Sequence, residues 1–238
     1  MSEFLLIHGS CHGAWCWRDV IPALERLGHT ARAIDLPGHG GNPCPIGDIT
    51  LDAYADAILE AIDTPAIVVG HSMAGFPISA AAEKAPEKIA RLIYLCAYAP
   101  RNGLSLVEMR QEAPRQPLLA AVDKTADGLG FAFRDDKLAE ALYHDCPDGT
   151  VDYARDRLCV QAIKPQATPI RLGPNYTSVP KSYIRCADDQ AIPPEYQSSM
   201  TKGWPAEDVT EMPTSHSPFF SDPNDLAQRL DRIARGLT

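Results

Sequence analysis

A serine in a crowded turn is the first residue of this sequence that could perform chemistry. Ser72 lies in the string G-H-S-M-A-G of residues 70–75, after the apolar run 66–69 and before small residues that continue to Lys84. This order predicts a strand, a sharp turn and a helix, with the hydroxyl exposed and the Met73 N–H able to donate to an oxyanion. The string departs from G-x-S-x-G because Ala74 precedes Gly75, and alanine is small enough to keep the turn.

A serine needs a base and an orienting acid, which in this kind of turn follow it in the order serine, acid, histidine. Of the seven histidines, His216 is the one that follows the last predicted strand at the start of a loop. Asp188 and Asp189 both follow the preceding strand. Either could be the acid and the other could cap the next helix, and spacing alone leaves the choice open.

The loop after the first strand can supply a second oxyanion donor. Gly9 allows a close backbone approach there, so the N–H of Ser10 is expected to face the same point as that of Met73. The string lacks the spacing of a phosphate-binding loop. Cys11 is expected to be an unreactive thiol. No metal-ligand spacing occurs in the sequence, so neither a metal nor any other cofactor is predicted.

Strand and helix patterns alternate over residues 1–100 and again from 179 to 238, which predicts βαβ units and a parallel sheet flanked by helices. Residues 101–178 interrupt this rhythm and are expected to form a small helical cap. The predicted strands are residues 4–7, 30–36, 66–69, 89–96, 180–186 and 208–212. The predicted helices are residues 17–27, 51–62, a segment ending at 84, 194–200 and 222–236.

The amino-acid composition argues against several classes of function. The 238 residues are 45% apolar and include 31 acidic against 22 basic side chains, a formal charge of −9. A chain this acidic has no electrostatic reason to bind nucleic acid or an anionic membrane. It contains no apolar run long enough to span a bilayer and no signal-peptide pattern. Seven scattered cysteines favour free thiols in a reducing compartment, so a cytoplasmic location is expected.

Four strings resemble one branch of the α/β-hydrolase superfamily, which contains hydroxynitrile lyases and the methyl salicylate and methyl jasmonate esterases. They are H-G-S-C-H-G-A-W-C-W (8–17), G-H-S-M-A-G (70–75), C-A-D-D-Q-A-I-P-P-E-Y-Q (186–197) and S-H-S-P-F-F-S (215–221), with a weaker likeness at 143–146. The family's catalytic aspartate precedes the proline of its P-E-[FY]-Q string by five residues. The resemblance therefore implies Asp189 as the acid, with Ser72 and His216 completing the triad. It also implies a short helical cap, and the family's members are often homodimers.

Within this branch, one group of lyases carries threonine where this sequence has Gly9 and lysine where it has Ser217, and a second type has asparagine at the first position. The glycine and the uncharged serine both favour ester hydrolysis. The resemblance thus implies a serine carboxylic ester hydrolase acting on a small ester through an acyl-enzyme. A lactonase, thioesterase, C–C hydrolase, hydroxynitrile lyase or receptor-like binder remain alternatives. The esterases usually carry methionine where Ser217 stands, which leaves the shape of the acyl pocket open.

Two groups of apolar residues could serve either the core or the substrate. Trp15 and Trp17 are expected to pack in the core rather than to touch substrate. Residues of the cap are expected to line the acyl or alcohol pocket, although core packing explains each of them equally well. The apolar candidates there are Leu118, Leu119, Phe131 and Phe133.

Overall fold

The computed structural model describes residues 1–236, and its centre is a parallel β-sheet. The strands, in chain order, are β1 (Glu3–Ile7), β2 (Thr30–Ile34), β3 (Ala66–His71), β4 (Ile89–Leu95), β5 (Val122–Lys124), β6 (Gly130–Phe133), β7 (Gln161–Ala162), β8 (Lys181–Cys186) and β9 (Val209–Met212). Six of them form the main sheet in the order β2-β1-β3-β4-β8-β9, and every neighbouring pair is parallel. The predicted parallel sheet is therefore confirmed.

Helices connect the strands and cover both faces of the sheet. The α-helices are α1 (Val20–Arg26), α2 (Leu51–Glu60), α3 (Gly75–Lys84), α4 (Leu106–Glu112), α5 (Thr150–Arg155), α6 (Lys164–Ala167), α7 (Pro174–Ser178), α8 (Pro194–Met200), α9 (Pro218–Ser221) and α10 (Pro223–Ala234). None of the helices in the described part of the chain combines the length and apolar character that crossing a bilayer requires.

The two faces of the sheet bury alternate residues, because successive side chains of a strand point in opposite directions. In β1, Leu5 and Ile7 join one buried cluster, which also contains side chains of α2 and α3. Phe4 and Leu6 join the other, which contains side chains of α1 and α10. Both faces are therefore covered, which explains why the central strands are continuous apolar runs rather than alternating ones.

Local signals account for several helix starts. The Thr50 side chain accepts a hydrogen bond from the Ala53 N–H at the start of α2. Ser105 and Glu108 form a reciprocal capping box at the start of α4. Residues 17–27, predicted as one helix, instead form a 3-10 turn over Ala14–Trp17 followed by α1. Pro22 lacks an N–H and fits only the first turn of a helix, so α1 begins close before it.

The segment 101–178 is of mixed structure. It contains α4 to α7, 3-10 turns and one π-helical turn at Ala139–Tyr143. It also contains a small antiparallel sheet of β5, β6 and β7 that the sequence reading did not anticipate. The apolar pattern of β6 is only four residues long, and its partner β7 lies about 30 residues further along the chain. Short runs paired over such a distance leave little local signal.

The cysteines are all free thiols, as expected, and Cys11, Cys16, Cys96 and Cys186 are buried. Burial raises the pKa of the Cys11 thiol far above its ordinary value, with the neighbouring Cys159 adding to the rise. Such a thiol stays protonated and is a poor nucleophile. Trp17 is fully buried in the core, and Trp15 stacks on the ring of His12. Neither tryptophan lines the cavity described below.

Candidate active site

The residues singled out by the sequence lie on loops at the carboxyl ends of four parallel strands. Ser10 follows β1, Ser72 and Met73 follow β3, Asp189 follows β8, and His216 follows β9. Parallel strands bring all their carboxyl ends to one edge of the sheet, where ligand sites of open α/β sheets form. The fold therefore brings together residues that are more than 200 positions apart in the chain.

Ser72 has a left-handed backbone conformation, with φ of 57°. This conformation costs an L-residue roughly 1–2 kcal/mol, and here it turns the chain sharply from β3 into the following helix. A Cβ at Gly75 would overlap the carbonyl oxygen of Tyr98. Ala74 is fully buried without such a clash. The turn thus requires glycine at position 75 and accepts alanine at position 74, which accounts for the departure from the usual motif.

A continuous chain of hydrogen-bonding atoms joins the serine, the histidine and one aspartate. His216 Nε2 lies 3.0 Å from Ser72 Oγ, and His216 Nδ1 lies 2.7 Å from Asp189 Oδ2. All three side chains are buried, with residue exposures of 7% for Ser72, 2% for His216 and 0% for Asp189. The geometry has what nucleophilic catalysis by serine needs, namely a base within reach of the hydroxyl and an acid that orients the base.

The surroundings of Asp189 hold it as an oriented acceptor. Its Oδ1 accepts the backbone N–H groups of Ala191 at 2.6 Å and Ile192 at 2.8 Å, and its Oδ2 accepts Gln197 Nε2 at 2.9 Å. Gln197 is fully buried, and its Oε1 accepts the N–H of Cys186. The contact of Gln197 with the carboxylate is not predicted from the sequence, where Gln197 is only one member of the P-E-Y-Q string. The signal that could have indicated this contact is the position of Gln197 in the first turn of α8, the helix that follows the loop carrying Asp189.

Asp188, which spacing alone could not separate from Asp189, lies in a different environment. Its side chain is 63% exposed and its Oδ2 lies 3.1 Å from His144 Nε2. Both aspartates lie in the turn that follows β8, and there Asp189 is fully buried whereas Asp188 is exposed. The structure therefore brings only Asp189 to His216.

A network around the first loop positions Ser10. Its carbonyl oxygen lies 2.8 Å from His12 Nδ1, and its Oγ accepts Gln166 Nε2 at 2.9 Å. The opposite side of the His12 ring, Nε2, lies 2.6 Å from the Tyr143 hydroxyl. Within residues 1–236, the backbone N–H of Ser10 donates to no protein acceptor. An N–H held in place and left unpaired beside Ser72 is what an oxyanion donor requires.

The loop that carries His216 is held from two sides. His71 Nε2 lies 2.8 Å from the carbonyl oxygen of His216. Asp145 Oδ2 accepts the N–H of Ser215 at 2.7 Å, which ties the segment 101–178 to this loop. The weak sequence likeness at 143–146 thus falls on residues that contact the site. Ser217 is fully buried and is not among the residues that line the cavity.

Ser72 and His216 open onto a cavity of about 200 Å³. This is small for a ligand pocket, for which roughly 300–1,000 Å³ is usual, and it favours a small substrate. The four apolar candidates from the sequence all contribute to its wall. The lining also includes polar side chains that the sequence pattern does not predict for this role, namely His12, His71, Tyr98, Arg110, Lys124 and Gln166.

Metal-ligating atoms approach one another once in the described residues, where His71, Cys96 and His216 offer atoms within 4.8 Å. Both ring nitrogens of His216 are already occupied by Ser72 and Asp189. Burial raises the pKa of the Cys96 thiol well above its ordinary value, which disfavours the thiolate that a metal needs. The donor set therefore does not fit a metal site.

Four buried histidines near this edge of the sheet share one electrostatic property. Burial lowers the pKa of each, well below 6.5 for His8 and His71, to about 4 for His12, and by a smaller amount for His39. Each ring has one nitrogen beside a backbone carbonyl oxygen, as in His8 Nδ1 with Gly9 O at 2.8 Å. The folded protein therefore holds these rings neutral.

We expect the free energy of unfolding to fall as the pH is lowered from 6.5 towards 5. The unfolded histidines bind protons near pH 6.5 and the folded ones do not, so protons favour the unfolded state in this window, whereas above pH 6.5 the effect disappears. The pKa of His12 is about 4 in the folded protein. This residue alone would therefore lower the free energy of unfolding by about 3 kcal/mol at pH 4. Urea unfolding at pH 7.5, 6.5, 5.5 and 5 measures this. A free energy that stays constant from pH 7.5 to 5 would contradict it.

Comparison with known proteins places the chain in a family. Residues 4–229 match the model of the alpha/beta hydrolase family. Methylesterase 7 of Arabidopsis thaliana is 33% identical over 98% of this chain and 96% of its own length, and methylesterase 4 of the same plant is 34% identical over the same shares. A crystal structure of a pyrethroid hydrolase from Sphingobium faniae JZ-2 superposes with a TM-score of 0.86 at 26% identity, covering 98% of this chain and 97% of that one.

These similarities span the chain almost end to end, so they concern the core and the inserted segment together. They confirm the predicted fold class and the predicted ester hydrolase of the serine type. The chain belongs to the α/β-hydrolase family and, within it, to the methylesterase-like branch.

Proposed function

We propose that this protein hydrolyses a small carboxylic ester through an acyl-enzyme formed on Ser72. The observation that carries the proposal is the hydrogen-bonded chain from Ser72 Oγ through His216 to Asp189, which opens onto the small cavity. This arrangement supports nucleophilic catalysis, since a serine hydroxyl becomes a competent nucleophile only beside an oriented base.

In the first step, Ser72 Oγ bonds to the carbonyl carbon of the ester while His216 Nε2 takes its proton. Asp189 holds the Nδ1–H tautomer and stabilises the imidazolium. The negative charge on the carbonyl oxygen is received by the N–H groups of Ser10 and Met73, and losing one such donor typically costs on the order of a hundredfold in rate. His216 then protonates the departing alcohol, and water repeats the sequence on the acyl-enzyme, with His216 as base, to release the acid.

Two positions support hydrolysis over cyanohydrin cleavage. A Cβ at Gly9 would lie 3.0 Å from Ser72 Cβ and 2.7 Å from His71 Nδ1, so glycine keeps the space above the serine open. Ser217 carries no charge that could stabilise a departing cyanide, and its buried Oγ has no hydrogen-bond partner among the described residues. An open approach to Ser72 suits an oxyanion hole that receives a planar ester.

The alcohol portion of the substrate is proposed to be as small as methanol. The relatives in Arabidopsis thaliana are methylesterases by name, and the cavity volume leaves little room beyond a compact acyl group. We further propose that residues 101–178 act as a cap on a core of residues 1–100 and 179–238. The cap would select the substrate, since side chains such as Leu118 and Phe131 form much of the wall.

The test compares ester hydrolysis with cyanohydrin cleavage by the purified protein. We expect turnover of short p-nitrophenyl esters and of methyl esters, no benzaldehyde from mandelonitrile, and a fluorophosphonate mass adduct on Ser72. A panel of lactones and thioesters under the same conditions ranks the related acyl substrates. Benzaldehyde release without ester turnover would instead make this chain a lyase, and an unlabelled Ser72 in the folded protein would refute the acyl-enzyme.

We propose a cytoplasmic location and a homodimeric assembly for this protein. The free state of all seven cysteines supports a reducing compartment such as the cytoplasm. A homodimer is proposed from the family resemblance alone. Light scattering after gel filtration, at concentrations around and well above those of the activity assay, distinguishes a dimer from the 25.9 kDa monomer.

A further inference from the structure

One arginine faces the cavity without a partner. Arg110 lies in α4, is half-buried and lines the cavity. Its Nε is buried without a hydrogen-bond partner, and no carboxylate of residues 1–236 forms an ion pair with it. Burial raises the pKa of Tyr98, another lining residue, and the positive charge of Arg110 opposes that rise. A buried guanidinium nitrogen without a partner is costly, which favours a ligand that pairs with this side chain.

Other arginines of the described chain show how unusual this is. Arg101, which precedes α4 in the chain, pairs with Glu112, and Arg115 pairs with Glu195. Arg171 also lacks a protein partner, but it is exposed and solvated by water. Arg110 alone combines a buried, unpaired nitrogen with a position on the cavity wall.

The charge of the cavity wall is opposite to that of the protein. The chain carries 31 acidic and 22 basic side chains, yet the lining contains Arg110 and Lys124 and no aspartate or glutamate. Lys124 is exposed, which places it at the mouth of the cavity, and within residues 1–236 it has no ion-pair partner. Two cations without a counter-charge, in a wall that otherwise contains only uncharged polar and apolar side chains, favour an anionic ligand group.

We propose that the substrate carries a free carboxylate besides its ester group, and that Arg110 binds this carboxylate while Ser72 attacks the ester. This inference rests on the proposed ester hydrolysis and names its substrate class, the half-esters of small dicarboxylic acids. The planar fork of a guanidinium matches the two oxygens of a carboxylate. Apolar side chains such as Leu106 and Phe131 would contact the methylene chain between the two ends. A doubly charged group would meet a larger desolvation cost in a cavity this apolar.

The experiment uses monomethyl and dimethyl esters of succinic, glutaric and adipic acid. We expect the wild-type protein to show kcat/KM at least tenfold higher for the half-ester than for the diester, at the chain length that spans Ser72 and Arg110. In Arg110→Gln this ratio should fall at least tenfold, because the charge-assisted hydrogen bonds to the carboxylate are lost. Arg110→Lys keeps the charge but lacks the planar fork, so its ratio of half-ester to diester kcat/KM should lie between those of the wild type and Arg110→Gln. Arg171→Gln, an exposed arginine, is the matched control and should leave the ratio as in the wild type.

Two results would overturn the inference. One is a wild-type protein that hydrolyses the diester as fast as the half-ester at all three lengths. The other is a ratio that survives in folded Arg110→Gln, or in Arg110→Lys should the glutamine variant fail to fold. Either could occur with ester hydrolysis intact, so the inference can fail while the proposed function stands.

A binding measurement tests the inference without any turnover. In the Ser72→Ala background, calorimetry with succinate, glutarate and adipate should show saturable binding of at least one dicarboxylate. Adding Arg110→Gln should weaken that binding at least tenfold, whereas adding Arg171→Gln should not. If all esters are inert but a dicarboxylate binds through Arg110, the proposed function is wrong and the anion site is real. If no dicarboxylate binds, the anion site is refuted.

Discussion

Replacing Ser72 with alanine is expected to lower kcat for a p-nitrophenyl ester by at least 10⁴-fold. The nucleophile is removed, and only the oxyanion donors and substrate binding remain to accelerate attack by water. The substitution removes one hydroxyl, whose partner is His216 Nε2 at 3.0 Å, and leaves the left-handed turn in place. Steady-state rates, together with the loss of the fluorophosphonate adduct, measure the effect.

The matched control is Ser221→Ala. Ser221 lies in α9, close in sequence to His216, and within residues 1–236 its hydroxyl hydrogen-bonds only to the carbonyl oxygen of Ser217, at 3.4 Å. We expect its kcat to stay within twofold of the wild-type value. A Ser72→Ala variant that folds, as judged by circular dichroism, and keeps more than a tenth of the wild-type rate would show that Ser72 is not the nucleophile.

The second large effect separates two adjacent aspartates. Asp189→Asn is expected to lower kcat by about 10⁴-fold, the size of loss known when an orienting carboxylate becomes an amide. An amide NH2 facing His216 Nδ1 favours the tautomer with the proton on Nε2, which cannot accept the serine proton. The amide also offers fewer acceptor sites for the three N–H donors around Asp189, those of Ala191, Ile192 and Gln197.

Asp188→Asn is the control for this prediction, because it makes the same chemical change one residue away. Its side chain is 63% exposed and contacts His144 rather than His216. We expect kcat within threefold of the wild-type value. Equal losses in both variants, or a larger loss in Asp188→Asn, would refute the assignment of Asp189 as the orienting acid.

Much of the fold could be predicted from local pattern. The apolar runs predicted the strands of the main sheet to within a few residues, because buried parallel strands leave a strong local signal. The capping residues gave a similar signal for the helices. The small sheet of β5, β6 and β7 was missed, since each strand is at most four residues long and Gly130–Phe133 finds one partner about 30 residues away. Pairing at that distance depends on how the segment folds back, which a local window does not contain.

The candidate site divides in the same way. Ser72 and His216 could be chosen from residue type and chain order, because a strand–serine–helix turn dictates that order. Spacing could not choose between Asp188 and Asp189, since consecutive residues differ in direction and only the folded chain shows which one is buried. Family resemblance pointed to Asp189, and its hydrogen bonds to His216 and Gln197 give the physical reason.

The sequence by itself determined the fold class and the acidic net charge, and it selected Ser72 and His216 as the candidate nucleophile and base, because these follow from local apolar pattern, residue counts and chain order. Only the tertiary structure decided what surrounds those residues. Arg110 is one of many charged residues in the segment 101–178, yet in the folded chain it lines the cavity with Tyr98, and its buried Nε has no partner among the described residues. Burial and pairing depend on which distant segments meet, and no local stretch of the chain carries that information.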